Sequence, residues 1–516
     1  MSDAFEKRIK KHIIGKPHRF LAVVPLGFEQ TLINELKFIG IETSDALSRH
    51  PEQCENTKTK DANQPHVAGD GKVEFTAKIT EAWKAVAFSR IANRVLIHIA
   101  DFKAENFREL EKKASAIPFE LYLANNQQTQ TTIHVTCKHS RLYHSDAIAE
   151  RLYKIIEGVR VPLAPADTAS ATPSAGTPRN APPQNENRGT PQNLYVTLID
   201  DRCTIWLDLA GDELYKRGHE RYVNDAPLKE TIAAAMLFEA IHLTDSTLSL
   251  RAKTSTNLQD DRIGKPQSEL SEQPHSTLTT NHQPLATIID PMAGSGTFSL
   301  EAAYIANKLI PGKCRDFALK HQPAFKEATW NYIIKRENSN SVILSVAPQG
   351  AKSKNLNIVT SDISERAIEI IKHNVECSPL ASISPNGDMP TINPQLKDFF
   401  AYTAKEIADA SKEASPIIVL NPPYGKRLDF DAPKLYTKIG RKLTELAHDL
   451  KQFNKTLTVA ILAPKDDSRE GSKYTCTSNL LRECAALAPE HNSAAKLIVT
   501  SHGGFSLNVF IAQLNY

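Results

Sequence analysis

The chain has 516 residues, 41% of them hydrophobic, and 62 Lys and Arg against 59 Asp and Glu give a net charge of +3. That length suits two to four domains, and the near balance of charge excludes a polycation that grips nucleic acid over its whole surface. No apolar run reaches a membrane span, and the seven cysteines include no CxxC pair, so the expected setting is a reducing cytoplasm without zinc or a disulfide framework.

Taken in chain order, the opening residues are basic (Lys7, Arg8, Lys10, Lys11, Lys16, Arg19) and lack the apolar core of a signal peptide. Their charge alone fits a phosphate-binding patch or an ordinary solvated terminus. RFLAVVPLGFEQTLINELKFIG reads as a strand, a turn and a helix, with Leu32, Ile33, Leu36 and Ile39 at helical spacing. Residues 43–70 are polar and turn-rich. Val73, Phe75 and Ala77 alternate as in a strand, and a helix leads to a second strand over Val95 to Ala100. NFRELEKKASAI predicts a helix, TTIHVTCKHS a strand, and SDAIAERLYKIIEGV a helix capped by Ser145. Residues 163–192, rich in Pro, Ala, Ser, Thr and Asn, cannot bury a core and predict a disordered insertion. Beyond them NLYVTLIDDRCTIWLDLAG supplies two strands around Asp200-Asp201, so one α+β module continues across the insertion. Further polar tracts cover about 251–284 and about 346–354.

The C-terminal half alternates strand and helix, with strands predicted at 286–290, 356–361, 392–397, 416–420, 456–463, 495–500 and 505–513. Gly503-Gly504 signals a hairpin between the last two. The pattern predicts a doubly wound, Rossmann-like α/β sheet of seven strands ending in an antiparallel hairpin.

ATIIDPMAGSGTFSLEAAYIA is a strand, a glycine turn and a helix. Asp290 closes the strand, Gly294 and Gly296 let the backbone turn tightly, and the helix runs from Thr297 to Ala306. The turn lacks GxxxxGK[ST] and is no phosphate-cradling P-loop. Asp362 follows the second strand, where an acidic residue accepts hydrogen bonds from ribose hydroxyls; capping of the next helix by Asp362 or Ser364 is compatible with that role. Asp398, after the third strand, can accept an adenine amino group with Phe399 beside the ring, although such short strings are common. The fourth strand ends in Asn421-Pro422-Pro423-Tyr424. Prolines cannot donate to a sheet ladder, so the strand stops there in an amide, a rigid turn and an aromatic ring. All four strand ends gather at one edge of the sheet.

DPMAGSGT and NPPY together resemble the cofactor and catalytic motifs of class I S-adenosylmethionine-dependent methyltransferases that modify exocyclic amines. SRIANRVLIHIADFKAENFRELEKKA, HSRLYHSDAIAERL, GDELYKRGHERYVNDAPLKETIAAAML and IPGKCRDFALKHQPAF narrow the resemblance to THUMP-domain N2-guanine RNA methyltransferases, especially the bacterial large-subunit rRNA type. Ala293 stands where that family often has Cys, a change of packing more than of chemistry. No second glycine motif follows NPPY, so the second methyltransferase fused to some relatives is not expected in this sequence. The resemblance implies a ferredoxin-like part at 1–70, a THUMP-like RNA-binding domain at 71–210 and a methyltransferase domain at 211–516. It implies S-adenosylmethionine as cofactor, held by Asp290, Ala293, Gly294, Gly296, Thr297, Asp362, Ile363, Asp398, Phe399 and Asn421. The catalytic set is Asn421, Pro422, Pro423 and Tyr424, with no metal ligand. The implied partner is 23S rRNA or a large-subunit assembly intermediate, with Lys426 and Arg427 as phosphate contacts or solvated loop residues. A tRNA guanine-N2 enzyme, a DNA adenine-N6 enzyme and an inert RNA-binding assembly factor are the alternatives. His502 reads as a surface-loop histidine, and Lys229 and Glu230 lie near the cofactor without a catalytic role.

Overall fold

The computed structural model describes residues 3–41, 66–124, 131–159, 190–223, 227–260, 286–339, 356–383, 392–424, 431–467 and 475–515. The tract 346–354 and residues Lys426 and Arg427 lie outside them. Among the described residues no helix is long and apolar enough to cross a membrane.

Helix α1 (Asp3–Ile9) and a π-helical turn (Lys10–Ile14) lead into strand β1 (Pro17–Val23) and helix α2 (Glu29–Phe38). Leu32, Ile33 and Leu36 of α2 are buried, as their spacing requires. There follow hairpin β2 (His66–Gly69) and β3 (Lys72–Lys78), helix α3 (Ile79–Phe88), strand β4 (Arg94–Lys103), helix α4 (Phe107–Ala114), strand β5 (Thr131–Lys138), helix α5 (Ser145–Val159) and hairpin β6 (Gln192–Ile199) and β7 (Arg202–Asp208). All seven strands form one sheet, ordered β2-β3-β1-β4-β7-β6-β5. Only β5 and β6 are parallel, and α5 makes the crossover between them. The position 70 boundary expected from the sequence falls in the β2–β3 turn, and both sides of it share this sheet. The β6–β7 turn places Asp200 and Asp201 at φ 49° and 63°, the left-handed pair that a two-residue hairpin needs.

Two polar tracts are shorter than their composition suggests. Gln192 is a buried residue of β6 whose Oε1 accepts from the Ala124 amide at 2.9 Å, and Thr190 Oγ1 donates to Asp316 at 2.6 Å. The first tract therefore ends before Thr190, and its residues 163–189 lie outside the described ones. A buried amide with a backbone partner is indistinguishable from a loop amide by composition. Likewise the tract at 251–284 begins inside helix α6 (Glu230–Asp260).

The second sheet is built from β8 (Ala286–Asp290), β9 (Leu356–Asp362), β10 (Gln395–Leu396), β11 (Ser415–Leu420), β12 (Leu457–Pro464), β13 (Lys496–His502) and β14 (Phe505–Leu514). Helices α7 (Thr297–Ala306), α8 (Glu327–Ser339), α9 (Glu365–Glu376), α10 (Ala404–Ser411), α11 (Ala432–Leu450) and α12 (Cys476–Glu483) lie between them in the chain. The order is β10-β9-β8-β11-β12-β14-β13, parallel as far as β12 and antiparallel beyond it. Strand β8 is buried throughout and β11 from Pro416 on, the pattern of a sheet covered on both faces. The expected strand 392–397 shrinks to two residues opposite Ser361 and Asp362, because Pro394 has no N–H to offer and Asp398 already caps the next turn. Gly503 and Gly504 take φ 58° and 82° in the predicted hairpin.

The two sheets share one apolar core, from Phe20 of β1 to Ile511 of β14. Buried polar contacts cross it. Arg217 donates to Glu301 of α7 at 2.9 and 3.1 Å and to the Arg90 carbonyl at 2.9 Å, while Glu35 of α2 accepts from the Arg90 amide at 2.8 Å. Glu239 of α6 accepts from Thr31 of α2 at 2.8 Å and from Lys496 of β13 at 2.6 Å.

Candidate active site

The chain order doubles back across β8: β9 and β10 lie on one side of it and β11 on the other. Such a switch point leaves a crevice beyond the carboxyl ends of the strands. Asp290, Asp362, Asp398 and Asn421 stand at or just after those ends, as expected.

Asp290 is 1% exposed. Its Oδ2 accepts from the Ser299 amide at 3.1 Å and the Ser299 hydroxyl at 2.7 Å, and Thr360 donates to that hydroxyl at 2.7 Å. Its Oδ1 is buried and has no partner among the described residues. Burial pushes this carboxyl up to about 7, against the pull of the Ser299 hydrogen bonds, and the charge of Asp362 adds to the rise.

The turn that follows brings β8, β9 and α9 together. Gly294 and Gly296 sit at φ 56° and 79°. A Cβ on Gly296 would lie 3.1 Å from Ile371 of α9, so the position is closed to a side chain on two counts. The Gly294 amide donates to Asp362 Oδ2 at 2.8 Å, the Ala293 amide to the Ser361 carbonyl at 3.0 Å, and the Ser364 amide to Asp362 Oδ1 at 2.9 Å. Each oxygen of Asp362 keeps a lone pair for a hydroxyl donor. Ser364, and not Asp362, caps α9. Ile363 beside it is 71% exposed. Ala293 and Thr297 are buried in the turn.

Asp398 caps a short 3₁₀ turn, its Oδ1 accepting from the Phe400 amide at 3.0 Å. Phe399 is 1% exposed and its ring belongs to the core, where an aromatic face beside the ligand was expected. At the fourth strand end, Asn421 Oδ1 is buried and without a partner among the described residues. Pro422 is buried, Pro423 exposed, and the Tyr424 ring is held edge-on by Phe505 of β14, with centroids 5.9 Å apart.

Several residues at this site carry no motif. Arg221 donates to Glu230, to Ser295 Oγ at 3.2 Å and to Thr297 Oγ1. The Tyr222 amide donates to Asn374 Oδ1 at 2.8 Å, and Asn374 Nδ2 donates to the carbonyls of Tyr222 at 2.9 Å and Ser295 at 3.0 Å. The strap 217–223 thus braces the glycine turn from behind. Its partners lie 74 and 79 residues away from it or from each other, beyond any local pattern. Only the nearness of Glu230 was a usable signal. Lys229 lies over the Tyr215 ring at 4.7 Å. His502 is no surface-loop residue: it is half-buried, donates to the Pro227 carbonyl at 2.9 Å, and burial lowers its basicity.

The chain is similar in sequence and fold to known proteins. Residues 277–460 match the RMKL-like methyltransferase domain family. The chain is 26% identical over 415 residues to "Putative RNA methyltransferase YpsC" of Bacillus subtilis (strain 168), covering 80% of each chain. It is 24% identical to ribosomal RNA large subunit methyltransferase K/L of Marinomonas sp. (strain MWYL1), covering 81% of this chain but 45% of that one, so it spans less than half of that relative. Among solved structures, SMU.472, titled a putative methyltransferase complexed with SAH, aligns at a TM-score of 0.60 and 20% identity over 97% of this chain and 99% of its own, a likeness of fold. An Asp290 oxygen without a partner among the described residues, the left-handed glycines and the open lone pairs of Asp362 fit a polar ligand approached closely by backbone, as the cofactor of such domains requires. On the match of residues 277–460 to a methyltransferase domain, the chain is an S-adenosylmethionine-dependent methyltransferase.

Proposed function

We propose that the chain methylates the exocyclic N2 amine of a guanine in RNA, with 23S rRNA as the substrate. The observation that carries the amine is Asn421 Oδ1, a buried acceptor without a partner among the described residues at the end of β11, followed by a rigid Pro-Pro turn. Leaving such an oxygen unpaired costs about 1–3 kcal/mol, a cost relieved when an N–H donor arrives. RNA, and ribosomal RNA in particular, enters from the names of the relatives.

When bound, S-adenosylmethionine supplies a methyl group made electrophilic by its sulfonium sulfur. Asp290 Oδ1 would take the ammonium, Asp362 the ribose hydroxyls and Asp398 the adenine amine. Asn421 Oδ1 and the Pro422 carbonyl each accept one N–H of the target amine. That turns the nitrogen lone pair, otherwise delocalised into the ring, toward the methyl carbon, an effect of positioning. S-adenosylmethionine would supply the methyl group and leave as the demethylated thioether, and the methylated nitrogen would give up its proton to solvent. No strong general base is needed. Tyr424, steadied by Phe505, stacks on the unstacked base.

The THUMP-like reading of the first sheet makes it the module that holds folded RNA. Of the basic N-terminal residues, Lys7, Arg8 and Arg19 are paired with Asp3, Glu120 and Glu74, and Lys10, Lys11 and Lys16 are exposed. Mapping methylated nucleosides in RNA from cells lacking this protein tests the proposal. The expected result is one N2-methylguanosine lost from 23S rRNA and restored by the wild-type chain; a loss confined to tRNA, or no loss at all, overturns it.

A further inference from the structure

Behind the glycine turn, the strap 217–223 meets the end of helix α9 in a group of side chains that the methyl-transfer site does not use. His373 and Cys377 lie four residues apart, one helical turn, and so share a face. His373 Nε2 lies 3.4 Å from Cys377 Sγ. Glu220 of the strap joins them, and ligand atoms of the three residues all lie within 4.8 Å of one another. The arrangement is held from outside. Tyr222 stacks on the His373 ring at 3.8 Å and 20°, which fixes the ring's rotation. Tyr222 is itself fastened through both its amide and its carbonyl to Asn374.

The chemistry of this group is that of a metal site. Zinc bonds of about 2.0–2.1 Å to nitrogen and 2.3 Å to sulfur in a tetrahedron put those two ligand atoms roughly 3.5 Å apart. The 3.4 Å spacing already meets that value, and Glu220, on an exposed flexible stem, needs only a small movement to close the third edge. Thiolate, imidazole and carboxylate together select zinc over the all-oxygen cations magnesium and calcium. Cys377 caps the carboxyl end of α9, where the helix's unpaired carbonyls favour a cation.

We propose that Glu220, His373 and Cys377 bind one Zn²⁺ ion and so clip the strap to α9 behind the cofactor turn. Binding forms a zinc–thiolate bond with release of the thiol proton, a bond to neutral imidazole and a bond to carboxylate, and leaves the fourth position to water. The sequence pointed away from zinc because a CxxC pair is absent. A His-x₃-Cys pair whose third ligand lies 153 residues earlier escapes that test.

The full chain, stripped with chelator and then loaded with Zn²⁺ or Co²⁺, provides the test. One ion per chain is expected by elemental analysis after gel filtration, with a sulfur-to-cobalt charge-transfer band in the Co²⁺ form. Cys377→Ser should abolish the band, His373→Ala and Glu220→Gln should each weaken Zn²⁺ binding at least tenfold, and Cys314→Ser should change neither. Circular dichroism confirms that each variant folds, and the exposed Glu220→Gln keeps the test open if a helix variant does not. No stoichiometric Zn²⁺ on the wild-type chain at micromolar concentration, or equal binding by wild type and the Glu220 and Cys377 variants, overturns the proposal.

Discussion

Two buried oxygens without partners among the described residues, Asp290 Oδ1 and Asn421 Oδ1, concentrate the chemistry in single atoms. Replacing Asn421 by Ala removes the acceptor proposed to hold the target amine, while the other cofactor-holding residues stay in place. The turnover rate should fall on the order of 10²–10³-fold while cofactor affinity stays within about a factor of two. Single-turnover assays beside calorimetry read both quantities, and full activity in this variant defeats the amine clamp. Asp290 makes a prediction in pH. With its carboxyl held at about 7, it is neutral in the unliganded protein at pH 6 and ionised above neutrality. An ammonium group prefers the carboxylate, so cofactor affinity should rise roughly tenfold from pH 6 to pH 7.5, and Asp290→Asn should flatten that rise. The same shift acts on stability in the opposite direction. A raised carboxyl stabilises the fold below its unfolded value of 3.8, and that contribution is lost as the pH rises to about 7.

Elements are held in register by a small number of tight contacts. The glycine turn binds β8, β9 and α9 at one point, and Gly296 combines a φ of 79° with Ile371 at 3.1 Å. Gly296→Ala should cost about 1–3 kcal/mol of stability and weaken cofactor binding, since the turn has to open to admit a methyl group. The Arg217–Glu301 pair joins the strap to α7 with both side chains buried. Arg217→Ala leaves Glu301 without its two-pronged partner, so urea unfolding should show a loss of about 3–5 kcal/mol. A midpoint unchanged from the wild type contradicts that account. The hairpin at the chain's end has a role in the site as well, because Phe505 and His502 fasten Tyr424 and the segment before α6.

At the scale of the whole molecule, the two sheets share one core, so the first sheet is fixed to the catalytic half rather than tethered to it. Residues 163–189, before β6, lie outside the described ones, and the fold resumes at Thr190. Helix α5 carries the chain from β5 to a parallel β6 and so returns it to the end of the sheet where β6 begins, which a short loop can bridge. Replacing residues 163–189 by a short Gly/Ser linker should leave melting temperature and methyl transfer close to wild type. Extending the deletion through 192 removes Thr190 and the buried Gln192 and should lower the melting temperature by several degrees. Equal melting of the two deletions places the edge of the fold wrongly.

By itself the sequence determined the catalytic sheet and the order of its chemistry. Asp290, the glycine turn, Asp362 and Asn421 each follow a run of hydrophobic residues, and strand ends of a doubly wound sheet meet at one edge. Local signals of this kind need only a few neighbouring residues. The tertiary structure decided what depends on distant partners. It placed the Phe399 ring in the core, reduced β10 to two residues, drew Gln192 into β6 and fastened His502 to Pro227. It also brought Arg221 and Asn374 behind the turn and set Glu220 beside His373 and Cys377. The physical reason is common to all of these. A side chain's hydrogen bonds, burial and metal-ligand geometry are set by groups tens to hundreds of residues away in the chain, and only folding puts those groups within reach.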